Sequence, residues 1–261
     1  MTTVQAIAEA DVIRWPDMSD GQSPPAPPLP EVTPDRATLV ANGVVGFDPL
    51  DLRARSFLSL RTQLINRFHR QGGRVLAVTS TQAGDGKTYV TANVAAALSR
   101  VHPTILVDLD LRRPTLAARF GLTVERGVDD YLSGEAEWRD IGVKVAATDL
   151  TIYGVRRSRP DSATLLASAR LPAMFDRIRA LPGAPICIVD TPPILVVDDA
   201  VPIARSACGV LMIVEEGSTR GGDLDEALRM LSPAPIVGSV LNKSLTAQKI
   251  RRGYDYYDAP A

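Results

Sequence analysis

The chain has 261 residues, of which 45% are hydrophobic and 23% charged, a balance near the globular average that excludes a wholly disordered or fibrous protein. Its 30 acidic and 29 basic residues leave a net charge of −1, too little to hold nucleic acid or an anionic membrane by long-range attraction. Any anion site must be local.

Residues 1–44 read as a disordered Pro-rich tail. Seven prolines fall in the 19 residues from Pro16 to Pro34, and such a stretch buries too little apolar surface to offset its ordering entropy. Glu9 and Asp11 stand where a signal peptide would have its apolar core, so export is not expected. From Asp48 to His69, Leu50, Leu52, Phe57, Leu60, Leu64 and Phe68 recur at helical spacing and predict an amphipathic helix. Strands are then predicted at Arg74 to Thr79, Thr104 to Asp108, Leu150 to Gly154, Pro185 to Asp190, Gly209 to Val214 and Pro235 to Leu241. Helices are predicted between them at Gly86 to Arg100, Ser162 to Ala180 and Gly222 to Leu231. Apolar runs that do not alternate, separated by helices, predict a three-layer α/β fold with a mostly parallel sheet covered on both faces. Such sheets bind ligands at the carboxyl ends of their strands. The longest run without a charged side chain, the 13 residues Met230 to Asn242, is shorter than the ~20 a spanning helix needs. Cys187 and Cys208 read as buried thiols, and His69 and His102 are isolated in sequence, so zinc chemistry is not expected.

The first predicted strand runs through Ser80-Thr81-Gln82-Ala83-Gly84-Asp85-Gly86-Lys87-Thr88 into a helix. Gly84 and Gly86 let the backbone turn its N–H groups inward around Asp85, the helix N-terminus adds its dipole, Lys87 supplies a cation, and the Thr88 hydroxyl is placed to hold Mg²⁺. This is a P-loop for ATP, although the strict pattern has a glycine where Thr81 stands. Two further strand ends carry acids. Asp108 and Asp110 follow Ile105-Leu106-Val107, and a right-handed crossover is expected to bring that end beside the loop before Gly86. Asp190 follows Ile186 to Val189, as expected for an acid that holds magnesium through its water shell. Asn242, ending the last predicted strand, is placed to read an adenine edge. Beyond it, three of the six tyrosines, Tyr254, Tyr256 and Tyr257, crowd into the last eight residues beside Asp255 and Asp258. With no apolar neighbours, that cluster reads as displayed.

Ser80 to Thr88, Val107 to Pro114, Ile188 to Pro193, Val240-Leu241-Asn242 and the terminal tyrosines together resemble the cytoplasmic domain of the bacterial tyrosine kinases of capsule and exopolysaccharide export, P-loop proteins related to ParA and MinD. The likeness covers residues 45 to 257. It implies a P-loop ATP-binding kinase domain over 45–247 and a flexible tyrosine-containing tail over 248–261. It implies that Lys87 binds phosphates, that Thr88, Asp108 and Asp190 serve magnesium, that Asp108 and Asp110 handle the attacking hydroxyl and metal waters, and that Tyr254, Tyr256 and Tyr257 are autophosphorylated. A membrane-spanning chain-length partner as activator, self-association, and cytoplasmic work at the inner membrane follow from the same likeness. The chain departs from the family in its first long helix, where a glutamate and two arginines at intervals of three are replaced by Arg55, Leu58 and Arg61. Asp161-Ser162 replaces a usual Asn-Pro. Two other readings share this sheet and these acids: a positioning ATPase of the ParA/MinD kind, and a non-catalytic nucleotide-gated scaffold. The former normally carries a second lysine early in the loop, where Gln82 stands here.

Overall fold

A computed structural model describes residues 29–244. Residues 1–28 and 245–261 lie outside the described region, and with them Tyr254, Tyr256 and Tyr257. In chain order the elements are β1 (Glu31–Val32), α1 (Arg36–Ala41), α2 (Arg55–Arg67), β2 (Val75–Ser80), α3 (Lys87–Leu98), β3 (Thr104–Asp108), α4 (Leu116–Arg119), α5 (Val128–Ser133), β4 (Val143–Val145), β5 (Leu150–Tyr153), α6 (Ser162–Leu166), α7 (Arg170–Arg179), β6 (Ile186–Asp190), α8 (Ala200–Ser206), β7 (Gly209–Glu215), α9 (Gly221–Leu231) and β8 (Ile236–Asn242). The eight strands form one sheet in the order β1-β4-β5-β3-β6-β2-β7-β8. Every pairing is parallel except β4 with β5.

Successive residues of the central strands feed two different cores, which is why their sequences do not alternate with polar residues. In β2, Val75 and Ala77 pack with Met174, Phe175 and Ile203 on one face, while Leu76 and Val78 pack with Phe57, Leu64 and Val94 on the other. Cys187 and Val189 of β6 divide from Ile186 and Ile188 in the same way. Each of the valine, leucine and isoleucine side chains among them contributes about 1.5–3 kcal/mol on full burial. The fold is the expected three-layer α/β arrangement.

The expectation of disorder over 1–44 is corrected for residues 29–44. Lys144 N–H donates to the Pro30 carbonyl and Ala146 N–H to that of Val32, so β1 closes one edge of the sheet. The Asp35 carboxylate caps α1 by accepting from Thr38 N–H at 2.8 Å. Asn93, wholly buried in α3, then clamps the chain: its Oδ1 accepts from Val45 N–H and Gly46 N–H at 2.7 and 2.9 Å, and its Nδ2 donates to the Gly43 carbonyl at 2.8 Å. A Cβ on Gly46 would collide with the Asn93 carbonyl. A strand more than one hundred residues away and a buried amide in a distant helix supply this order, which proline content alone does not reveal.

Two predicted helices are also redrawn. α2 begins only at Arg55, after a 3₁₀ turn over Leu52–Ala54 capped by Asp51, and Leu50 stays 88% exposed. The helix expected over Ser162 to Ala180 is broken into α6 and α7, because Pro172 has no N–H for the Ser168 carbonyl that a continuous helix would present.

Candidate active site

β2, β6 and β3 lie side by side, and their carboxyl ends carry the site. The end of β3 reaches the loop before Gly86 as expected, with Asp110 2.9 Å from Lys87, although β6 runs between β3 and β2, with Val78 of β2 opposite Asp190 and Asp190 opposite Asp108. The three acids thereby reach the loop from one side.

The loop from Thr81 to Gly86 is held by its own residues. Gly84 and Gly86 have φ of +96° and +92°, in the left-handed region that costs glycine nothing. Asp85 turns its carboxylate inward, accepting from the Thr81 hydroxyl and Gln82 N–H, both at 3.0 Å. Thr81, the departure from the strict pattern, is thus the partner that pins this turn. The Asn242 amide donates to the Asp85 carbonyl at 2.8 Å and crowds Gly86 so closely that a Cβ there would strike it. Asn242 therefore braces the loop and lines a groove of about 610 Å³ between α2, α3 and β8, together with Phe57, Leu60, Tyr89 and Leu241.

Lys87 opens α3 and reaches the acids. Its Nζ lies 2.9 Å from Asp110 Oδ2, 3.9 Å from Asp190 Oδ2, and donates to Thr88 Oγ1 at 3.3 Å. The Thr88 hydroxyl donates to Asp190 Oδ2 at 2.6 Å. Burial opposes charge on Lys87, but the carboxylates of Asp190 and Asp110 outweigh it and hold the ammonium above its ordinary pKa. Burial pushes Asp190 up, offset in part by Lys87 and the Thr88 hydroxyl. Asp108 is pushed well up, first by burial and then by Asp190.

The two acids of the second motif do different things. Asp108 gives one oxygen to Asp110 N–H at 3.0 Å and the other to Leu116 N–H at 3.2 Å, so it shapes the loop after β3. Asp110 instead faces a cleft of about 370 Å³ walled by Gly84, Lys87, Thr88, Arg112, Pro193 and Val197. Sequence spacing did not separate these roles.

The donor set suits magnesium. Three carboxylates (Asp108, Asp110, Asp190) against one ammonium (Lys87) leave an excess of two negative charges when all are ionised, and every donor is a hard oxygen. Among the described residues no group of three or more His, Cys, Asp or Glu is arranged to hold a metal alone. Magnesium ordinarily takes one or two protein oxygens and completes its shell with water and phosphate.

His69 and His102, isolated in sequence, pack together at the amino ends of the central strands, opposite the site, with ring centroids 4.3 Å apart. Cys187 is buried and Cys208 partly so, both as free thiols. Among the described residues no helix is long and apolar enough to cross a membrane.

No family model matches the chain. It is 28% identical over 191 residues to the tyrosine-protein kinase CpsD of Streptococcus agalactiae serotype III, covering 72% of this chain and 81% of that one. It is 27% identical over 216 residues to the tyrosine-protein kinase wzc of Salmonella typhimurium, covering 81% of this chain but 30% of that longer protein. Among solved structures, the chimerical protein CapA2B2 superposes with a TM-score of 0.71 at 22% identity, over 84% of this chain and 95% of the other. The BceF tyrosine kinase domain superposes at 0.68 with 25% identity, over 82% and 92%. The septum site-determining protein MinD of Pyrococcus horikoshii, complexed with Mg-ADP, is more distant at 0.56 and 21%, over 72% and 78%. In sequence and in fold, the homologues of this chain are bacterial tyrosine-protein kinases.

Proposed function

We propose that the chain is an ATP-dependent protein-tyrosine autokinase of an exopolysaccharide or capsule export system. The observation that carries this reading is the meeting of Lys87, Thr88, Asp110 and Asp190 within hydrogen-bonding range at a glycine-formed loop, in a chain whose homologues are tyrosine-protein kinases. The loop N–H groups and Lys87 bind the phosphates of ATP, and Thr88 and Asp190 hold magnesium, with Asp108 adding its charge from behind them. Bound magnesium neutralises charge on the phosphate oxygens. The nucleoside lies toward the groove beside Asn242. Asp85 contributes through its backbone, its carboxylate being committed to Thr81 and Gln82. Asp110, the acid that faces the cleft, accepts the proton of the incoming phenol as the new P–O bond forms and the bond to ADP breaks. Lys87 must leave Asp110 to meet phosphate, which frees the carboxylate for that task.

The acceptors in this reading are Tyr254, Tyr256 and Tyr257, modified in trans. A membrane-spanning chain-length protein activates the kinase and keeps it at the inner membrane. Mass spectrometry of the chain produced with such a partner tests this assignment. Phosphate at the three tail tyrosines, lost in the triple Tyr→Phe variant, is the expected result. Phosphate mainly at Tyr89, Tyr131 or Tyr153 contradicts it. The positioning-ATPase reading is weaker, because Gln82 replaces the second lysine and the MinD superposition, at 0.56, falls below 0.68 for the kinase domain.

A further inference from the structure

Arg112 lies on the wall of the phosphate cleft two residues beyond Asp110, and it is held from three segments. Its Nε donates to Asp199 Oδ2 at 3.0 Å, with the arginine side chain 40% exposed and the aspartate 1%. The Ser162 hydroxyl, wholly buried at the start of α6, donates to the same oxygen at 2.6 Å. The Arg112 carbonyl accepts from the Ser158 hydroxyl at 2.6 Å, and the neighbouring Leu111 carbonyl accepts from Arg159 N–H at 2.8 Å. Asp199 immediately precedes α8, where an aspartate ordinarily caps, yet its side chain makes no cap bond. Its Oδ1 is buried without a partner among the described residues. A buried carboxylate that forgoes its helix cap and leaves one oxygen unsatisfied is costly unless its remaining contact matters.

We propose that Asp199 is a positioning residue, fixed by Ser162, that aims Arg112 at the phosphoryl group in transfer. Only Nε of the guanidinium is engaged among the described residues, so both terminal nitrogens are available to the cleft. Charge spreads onto the equatorial phosphoryl oxygens during transfer, and a pre-aimed guanidinium opposes it without reorganising. The inference deepens the kinase reading and rests on its phosphoryl-transfer chemistry. Ser162 and Asp199 stand far apart in sequence, which hid the pair.

The test measures binding of the full chain to ADP·Mg²⁺ alone and to ADP·Mg²⁺ with aluminium fluoride, which imitates the planar phosphoryl group. Wild type should bind the fluoride complex more tightly than ADP. Asp199→Asn and Arg112→Ala should each lower the fluoride-complex affinity about tenfold while leaving ADP affinity within about twofold. The double variant should lose no more than Arg112→Ala alone, since the aspartate acts through the arginine. A merely structural aspartate would lower the melting temperature and leave the ratio of the two affinities untouched, which would overturn the proposal. So would losses that multiply in the double variant, or a wild type that gains nothing from fluoride. If Asp199→Asn does not fold, Ser162→Ala serves the same comparison with a smaller loss of the same sign, and an unchanged ratio there overturns the proposal. Failure of wild type to bind ADP at all would instead overturn the nucleotide reading beneath it.

Discussion

At the carboxyl ends of β2, β6 and β3, Lys87 lies 2.9 Å from Asp110 and 3.9 Å from Asp190, while Asp108 is buried behind them. At the amino ends of the same strands, Arg74 Nη1 donates to His69 Nδ1 at 2.9 Å, the His69 ring packs on His102, and His102 Nε2 lies 3.1 Å from the Ala184 carbonyl. Both ends gather titratable groups, but the carboxyl end buries an excess of acids around one cation, and the amino end sets two imidazoles against an arginine. Burial raises Asp108 and Asp190 at the first. At the second, burial and then His102 hold His69 below its ordinary pKa, with Arg74 adding to the effect and the Gly73 carbonyl opposing it. The acidic end gains when a cation arrives, and the histidine end is most stable with no added charge. The difference suits the proposed binding role of the former and a structural role for the latter.

The largest expected effect breaks the acidic end. Asp110→Asn should lower tyrosine transfer by about 10²–10⁴-fold while nucleotide affinity changes little, because the lost carboxylate acts on the incoming hydroxyl. Single-turnover transfer from γ-labelled ATP alongside nucleotide titration checks this, and wild-type transfer would assign Asp110 to structure. Asp108→Asn should instead loosen the loop after β3, lowering the melting temperature as well as transfer, because both of its oxygens accept backbone N–H groups.

Asn93→Ala separates site from scaffold. It strands Val45 N–H, Gly46 N–H and the Gly43 carbonyl, and should cost about 2–4 kcal/mol in denaturant unfolding, with little change in the nucleotide affinity of the folded fraction.

The smallest effect sharpens the contrast of the two ends. A histidine with a lowered folded pKa binds protons better when unfolded, so its contribution is fully present above pH ~6.5 and is lost as pH falls below that value. The raised Asp108 and Asp190 act oppositely, binding protons better when folded and gaining stability as pH falls from neutral toward their ordinary range. Melting curves between pH 7.5 and 5.5 should show His69→Gln retaining more of its stability on acidification than wild type. Mg²⁺·ADP should raise the melting temperature most at the upper pH, where the acids are ionised. An identical pH slope for His69→Gln and wild type would remove the histidine end from this account.

Much of this was legible in residue order, and the parts that were not share a cause. β3 and β6 were readable because buried parallel strands are short apolar runs, and Gly84, Gly86, Lys87 and Thr88 because a glycine turn running from a strand into a helix is local in sequence. β1 and α1 were not, since their order comes from Asn93 and from β4 more than one hundred residues away, Lys144 and Ala146 being the partners. The division of labour between Asp108 and Asp110 was hidden too, because it depends on which carboxylate the loop N–H groups of Asp110 and Leu116 capture. Asn242 was singled out by its position at the end of the last predicted strand, as a residue to read adenine, while its grip on the Asp85 carbonyl required the fold.

The central claim, that the loop and its acids carry ATP-dependent transfer to tyrosine, is tested most directly by one paired measurement on wild type and Lys87→Met. Phosphotyrosine formed from γ-labelled ATP and Mg²⁺, with the activating partner fragment present, is followed together with the dissociation constant of a fluorescent ATP analogue. The account predicts phosphotyrosine in wild type, none in Lys87→Met, and an affinity loss of more than about tenfold from the missing charge-assisted contact. Unchanged affinity and labelling in Lys87→Met would contradict it.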